Sequence, residues 1–417
     1  MYQKNYDIII IGESLASRLA AVRLAKQGRR ILTFRDEDST LPSWLFSSLL
    51  LENLLETLGG RSCYTAAPLF QVFTPRTRIE FNGQMPLAEE LRRELPDSHE
   101  PVRKLLTGLA TGGERIEEML RKNARPILTS TGRGLLKLRR LLHRTGLGPL
   151  NRPLQPYIDA RIPDPEGRRT LETLFSGMSL TAPHDLSVAE AALLWHCATR
   201  PSGISASGLD DLLRHRYEQF HGETESIDAV KTLDGDAKKV NGITLKRGGG
   251  CSATCYLLAD ERAQEMLSGK SSKPAEAGVT RQIATPLNDQ LSALLARRVL
   301  VAGNPPLRLT IGKHNGDVAC AIDLNSAPTP GGLRNGLRER LTDVLPFADY
   351  ELKDAGPARL PRVTARSSRL FGLADSPRVN RNTWLCDASR LLPALGSCGD
   401  VLLGEALAQE LAKRLPK

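Results

Sequence analysis

Two stretches of this chain set residues where an anionic ligand can be held. The first is Gly12-Glu-Ser-Leu-Ala-Ser17. The β-branched run Ile8–Ile11 stands ahead of it, and Leu15, Leu19, Val22 and Leu24 follow at helical spacing. A turn between a buried strand and a helix leaves the first helical amides, those of Leu15 and Ala16 among them, pointing outward, and the helix dipole favours an anion there. Gly12 takes the first place of a Gly-x-Gly-x-x-Gly spacing, with Ser14 and Ser17 where the second and third glycines would stand. A serine forced to positive φ costs on the order of 1 kcal/mol, and its β-carbon crowds a phosphate. Its hydroxyl, in return, can donate to a phosphate oxygen.

The second stretch closes the chain. Asn382-Thr-Trp-Leu-Cys-Asp387 reads as a short strand ending in a carboxylate, Ala388–Gly399 as a loop, and Asp400–Leu415 as a helix with Val401, Leu403, Leu407 and Leu411 apolar. A strand-end carboxylate is placed to accept hydrogen bonds from ligand hydroxyls. A loop carrying Gly396 and Gly399 into a helix presents amides to an electron-rich group. The two chain ends thus repeat one device, and they converge on one ligand if both strands lie in one sheet.

The elements that must position these residues follow from pattern. Gly28 ends the first helix and Ile31–Phe34 reads as a second strand, so the first 35 residues form a strand–turn–helix–strand unit, the first half of a dinucleotide-binding fold. The acidic residue that would hold a ribose hydroxyl at the end of the second strand is absent: Arg35 takes its place, with Asp36 next. Arg35 has an alternative partner in a 2′-phosphate. The plain alternative is a strand–helix–strand unit with no nucleotide at all.

Farther on, Trp44–Leu58 reads as a helix, Pro68–Gly83 as a hairpin of a substrate-side sheet, and Pro86 to Arg216 as mainly helical. Within that segment, Gly134–Arg144 places Leu135, Leu138, Leu141 and Leu142 on one face and Lys137, Arg140 and Arg144 on another. Such a helix packs on a core with a solvated basic side or lies on an anionic bilayer surface. Thr224–Leu233, Lys239–Lys246 and Cys251–Ala259 read as strands and Ala263–Gly278 as a loose polar segment. Val299–Val301, Arg308–Lys313 and Val318–Asp323 read as strands of a second sheet, and Gly331–Val344 as a helix.

The chain has 417 residues and a formal net charge of +10. That length buries a substantial core, and the charge points to an anionic partner: a nucleotide cofactor or an anionic membrane face. The basic residues are spread out and no nucleic-acid motif stands out, so no nucleic-acid partner is expected. No run reaches the ~18 apolar residues of a membrane span, and a cytoplasmic protein, with membrane association as an extension, is the expectation. The seven cysteines follow no metal-ligand spacing and read as reduced, buried thiols.

With these segments in order, the chain resembles the FAD-dependent oxidoreductases that include geranylgeranyl reductases, phytoene desaturase-like enzymes and aromatic hydroxylases. The Gly12 turn looks like a worn FAD fingerprint. Val230-Lys-Thr-Leu233, Val240-Asn-Gly-Ile-Thr-Leu245 and Leu257-Leu-Ala259 look like the strands that return to the cofactor, and Cys386-Asp-Ala388 with Pro393-Ala-Leu-Gly396-Ser-Cys-Gly399 looks like the C-terminal motif. The resemblance implies an α/β fold with a Rossmann-like FAD/NAD(P)-binding domain (residues 1–60, 203–298 and 381–417) interleaved with an α+β substrate domain, composed of a mainly helical insert and hairpin (61–202) and a sheet with a helix (299–380). It implies non-covalent FAD contacted by Gly12, Ser14, Leu15, Ala16, Arg35 and Asp36, by the backbone of Val230 at the adenine, by Asp387 at the ribityl or pyrophosphate, and by Gly396 and Gly399 facing the flavin pyrimidine.

Two functions follow. One is hydride transfer to or from an apolar, isoprenoid or quinone-like substrate, with no catalytic residue singled out among His196, His215 and His221. The other is a non-catalytic relative that has lost flavin and serves as a binding or membrane-peripheral partner.

Overall fold

The structure, a computed structural model, describes residues 4–36, 44–128, 152–236, 238–268, 278–286, 296–303, 307–314, 317–326, 339–342, 350–354 and 376–415, with residues 136, 138, 140, 143 and 344. Ile8, Ile9, Ile10 and Ile11 are wholly buried in strand β1 (Lys4–Ile11), as a strand covered on both faces requires. Helix α1 (Leu15–Lys26) and strand β2 (Ile31–Arg35) complete the first unit. β1 pairs in parallel with β2 on one side. On the other side it pairs in parallel with the strand Gly250–Leu258, which runs in turn parallel to Thr383–Leu385. The strands from the two chain ends therefore lie in one sheet, separated by a single strand. Glu223–Ser226 extends this sheet beyond β2, and the antiparallel strands Val230–Gly235 and Val240–Leu245 extend it at the far side.

A second seven-stranded sheet holds the hairpin Phe70–Phe73 and Arg78–Phe81 together with Gly278–Pro286, Arg298–Val301, Leu307–His314, Asp317–Ser326 and Tyr350–Asp354. The helical insert includes Leu87–Glu94, a long helix His99–Lys122, Pro165–Ser179 and Val188–Ala198. The long helix runs unbroken through Gly108, Gly112 and Gly113. At Gly113 a β-carbon would sit 2.2 Å from the carbonyl oxygen of Ala192, so the glycine serves close helix packing.

Three further readings change. Trp44–Leu58 is helical only from Leu49, because Ser48 caps it by accepting from the Leu51 amide. Thr224–Leu233 is split by a 3-10 turn at Ile227–Ala229. The segment after Asp260 is a helix, Glu261–Ser268, and the strand Gly278–Pro286 follows. In the basic segment Leu138 is buried and Arg140 exposed, whereas Lys137 and Arg144 lie outside the described residues. No helix among the described residues is long and apolar enough to cross a membrane.

Candidate functional site

The two chain ends meet. The hydroxyl of Ser14 donates to the carbonyl of Cys386 at 2.7 Å, and the amide of Ala16 donates to Asp400 Oδ1 at 3.3 Å. Gly404, one turn beyond Asp400 in the C-terminal helix α2 (Gly396–Arg414), allows the approach: a β-carbon there would lie 2.7 Å from the carbonyl oxygen of Ala16.

Gly12 has φ +82, a conformation that favours glycine. Ser14 does not share the strain expected of it. It is extended (φ −149) and caps α1, its hydroxyl accepting from the amide of Ser17 while the Ser17 hydroxyl accepts from the amide of Ser14. The two serines replace glycines because they form a capping box. Leu15 is buried as the first residue of α1.

The amides of the turn are not left open. Glu13 N–H donates to Asp260 Oδ2 at 3.1 Å, and Ala16 N–H to Asp400 as above. Carboxylates of the protein thus occupy part of the anion-favouring end of α1. Asp260 also caps the following helix, accepting from Ala263 N–H at 2.8 Å. Asp387 caps the short helix Ala388–Leu391, accepting from Ser389 N–H at 3.0 Å. Burial raises the pKa of Asp387. Burial first, and then the nearby Asp387 charge, push Asp400 up to about 7, against the lowering effect of the Ala16 amide.

Arg35 lies 3.5 Å from Glu13, and Arg18 pairs with the same carboxylate. The acid missing from the end of β2 has a counterpart in the turn itself, already engaged by two guanidiniums. Asp36 accepts from Arg262 at 3.2 Å, and Arg262 also pairs with Asp228. The helix Glu261–Ser268 is tied across this edge, and Gln264 accepts from Arg390 of the C-terminal segment. Val230 is buried and its N–H donates to Ile227 O. Gly396 has φ +50, while Gly399 is packed against Leu392 and Leu395.

The second sheet reaches the same place. Ser397 Oγ donates to the carbonyl of Trp44 at 2.9 Å, and Trp44 Nε1 donates to Thr310 Oγ1 at 2.7 Å. Arg298 and Arg308 each lie 5.4 Å from the Trp44 ring centroid. Burial, with the charge of Arg308, lowers the pKa of Arg298 to about 10. Of the histidines, His215 is exposed, His221 sits at φ +61, and His196 faces Glu117 at 3.2 Å in the helical insert.

Asp260 and Asp400 reach the turn without a local signal in the sequence, and Asn382, at the end of the C-terminal strand away from Asp387, is a structural tie. Asn382 is buried and exchanges two hydrogen bonds with the backbone of Val240, at 3.0 and 2.8 Å. Its position directly before a strand was the one local sign of such a role.

Gly12 and the Asp387 carboxylate stand at the two chain ends that an extended dinucleotide would bridge, but the Ser14 and Ser17 hydroxyls are already bonded to one another's backbone and to Cys386, and the Asp260 carboxylate lies over Gly12. Between them, the bonds from Glu13 and Ala16 to carboxylates must exchange for a ligand to use those amides.

No protein-family model matches this chain, and no curated protein matches it either. Solved structures do. A double variant of putrescine oxidase aligns with TM-score 0.59 and 14% identity, covering 99% of this chain and 100% of that one. Cyclohexylamine oxidase from Brevibacterium oxydans aligns with TM-score 0.56 and 15% identity over 99% and 100%. An oxidoreductase from Methanosarcina mazei aligns with TM-score 0.54 and 13% identity over 97% and 100%. The chain therefore has the interleaved α/β fold of these oxidoreductases over nearly its whole length, as the resemblance implied.

Proposed function

We propose that the protein is an FAD-dependent oxidoreductase acting by hydride transfer on an apolar substrate. The observation that carries this reading is the Ser14–Cys386 contact, which sets Asp387 beside the Gly12 turn in the arrangement that a dinucleotide spanning both chain ends needs. The full-length likeness to oxidases supports it. FAD, when bound, supplies the redox chemistry. The chain's own part is to hold it non-covalently: Gly12 admits the pyrophosphate once the Asp260 carboxylate over it has moved aside, the α1 amides and dipole favour its charge, and Asp387 accepts from ligand hydroxyls.

The named neighbours oxidise putrescine and cyclohexylamine, and an amine is a competing substrate class. For a substrate seated beside Trp44 and Ser397, the guanidiniums of Arg298 and Arg308, each 5.4 Å from the Trp44 ring, favour a neutral molecule over an ammonium ion, since like charges repel strongly where water is excluded. A second reading, a flavin-free scaffold, is favoured by the carboxylates held against the turn's amides.

The visible spectrum of the purified protein separates these readings. A flavin band, or one gained on adding FAD, supports the first. A colourless protein that takes up no FAD supports the second. Anaerobic bleaching of bound flavin by isoprenoid or quinol compounds, set against bleaching by primary amines, then tests the substrate class. The anionic-membrane proposal is tested separately: liposome binding should weaken with salt and on changing Lys137, Arg140 and Arg144 to Glu.

A further inference from the structure

We propose that Asp400 is a proton-linked competitor for the cofactor diphosphate: as a carboxylate it holds the Ala16 amide, and on taking a proton from solvent it yields that amide to the incoming phosphate. The proposal rests on the flavin reading above and goes beyond it by making cofactor affinity depend on pH.

The geometry is specific. Ala16 is the fifth residue of the Gly12–Ser17 turn, and its N–H belongs to the first turn of α1, where a diphosphate would be met by amides and the positive end of the dipole. Asp400 Oδ1 lies 3.3 Å from that nitrogen. A carboxylate and a diphosphate cannot both be stabilised by one N–H, and as two anions they repel. The neutral acid removes the repulsion and weakens the claim on the amide.

The charged and titratable neighbours make Asp400 the responsive group. From the strand end, the Asp387 charge disfavours a second negative charge on it, and the Cys386 thiol, pushed up chiefly by burial and then by the Asp400 and Asp387 charges, stays neutral. Arg390 faces Asp387. In the α1 turn, Glu13 is paired with Arg18 and Arg35, and Asp260 is bonded to the Glu13 amide. Farther along α2, Glu405 pairs with Arg23, and Glu410 pairs with Arg125 and Arg414. From the helical insert, Cys197 meets Cys398, with Glu117 and Arg200 acting on that thiol.

The magnitude follows from linkage. With burial and Asp387 holding Asp400 near 7, the neutral form falls about tenfold between pH 6 and pH 8. FAD affinity should fall by the same factor if binding takes up the proton.

The experiment is titration of the full chain with FAD at pH 6 and pH 8, for the wild type, Asp400→Asn and Asp387→Asn. It is joined by calorimetry of the wild type in two buffers of different ionisation enthalpy, which counts protons without any variant. The expected result is a wild-type Kd about tenfold higher at pH 8 than at pH 6, proton uptake at pH 8, and a flat pH dependence in Asp400→Asn. FAD binding with equal affinity at both pH values and no proton uptake overturns the proposal and leaves the flavin reading standing. A pH dependence abolished by Asp387→Asn but kept in Asp400→Asn overturns the assignment to Asp400. No FAD binding by any of the three proteins at either pH removes the flavin reading and this proposal with it.

Discussion

The carboxylate of Asp260 lies over Gly12 so closely that a β-carbon on that glycine would sit 2.3 Å from Asp260 Cγ. Two constraints therefore act at one residue, positive φ and lack of space. Gly12→Ala should cost about 2–4 kcal/mol, from left-handed strain and overpacking together. Adding Asp260→Ala relieves the overpacking alone. Urea unfolding of Gly12→Ala, Asp260→Ala and the pair should give a positive coupling between the sites, and strict additivity would show that the contact carries no energy.

Gly404 plays the matching part between the two helices. Its missing β-carbon would meet the Ala16 carbonyl at 2.7 Å and Leu19 Cβ at 3.1 Å. Backbone cannot retreat as a flexible side chain does, so Gly404→Ala should cost about 1–3 kcal/mol despite alanine's better helix propensity. Equilibrium unfolding measures this, and a stabilised variant would refute the close crossing.

These two glycines bear on what the sequence could reveal. The Ile8–Ile11 run, the Gly12 turn and the α1 pattern were legible because the strand is buried on both faces and the signals are local. So was the Thr383–Leu385 strand ahead of Asp387. The carboxylates on the turn were not legible: Asp260 is 247 residues from Glu13, and Asp400 is 384 from Ala16. The serine pair looked like damage to a glycine motif because a capping box depends on backbone angles that spacing alone leaves open. The helix Glu261–Ser268 overlaps the polar stretch Ala263–Gly278, which reads as loose because few apolar residues mark it. The strand Gly278–Pro286 carries no steady alternation and is defined by its partners on either side.

Asn382 ties the C-terminal strand to Val240 through both ends of its side-chain amide. Leucine fills similar space and leaves a buried N–H and a buried C=O without partners. Asn382→Leu should lose about 2–4 kcal/mol, at 1–3 for each unsatisfied group. Hydrogen exchange at Val240 should rise more than exchange at Ile10. Equal protection in both proteins would show that the amide does not hold this junction.

Glu52 and Arg200 join the helix Leu49–Leu58 to the helical insert, with side chains only 16% and 17% exposed. Burial raises the Glu52 pKa, but hydrogen bonds from Arg200 and Ser47 outweigh it and leave it below the ordinary value. A depressed carboxylate contributes stability above its unfolded-state pKa and loses it as pH falls through the folded-state value. Arg200→Met should therefore cost about 3 kcal/mol at pH 7. The gap from wild type should narrow below about pH 4, and melting curves that stay parallel down to pH 3 would argue against the linkage.

Asp400 should have the opposite pH signature, whether or not a cofactor binds. Its pKa is raised in the folded chain to about 7 from an ordinary value of 3.8. The native state thus holds a proton that the unfolded chain releases between those values. Stability from this group is complete below about pH 4 and is lost as pH rises through 7. Asparagine keeps an acceptor for the Ala16 amide and carries no charge. Asp400→Asn should then match the wild type near pH 4 and exceed it by about 2–4 kcal/mol at pH 8. Denaturant unfolding at the two pH values reads this directly. A variant that is less stable than the wild type at pH 8 would mean that the carboxylate is held as an anion by the fold.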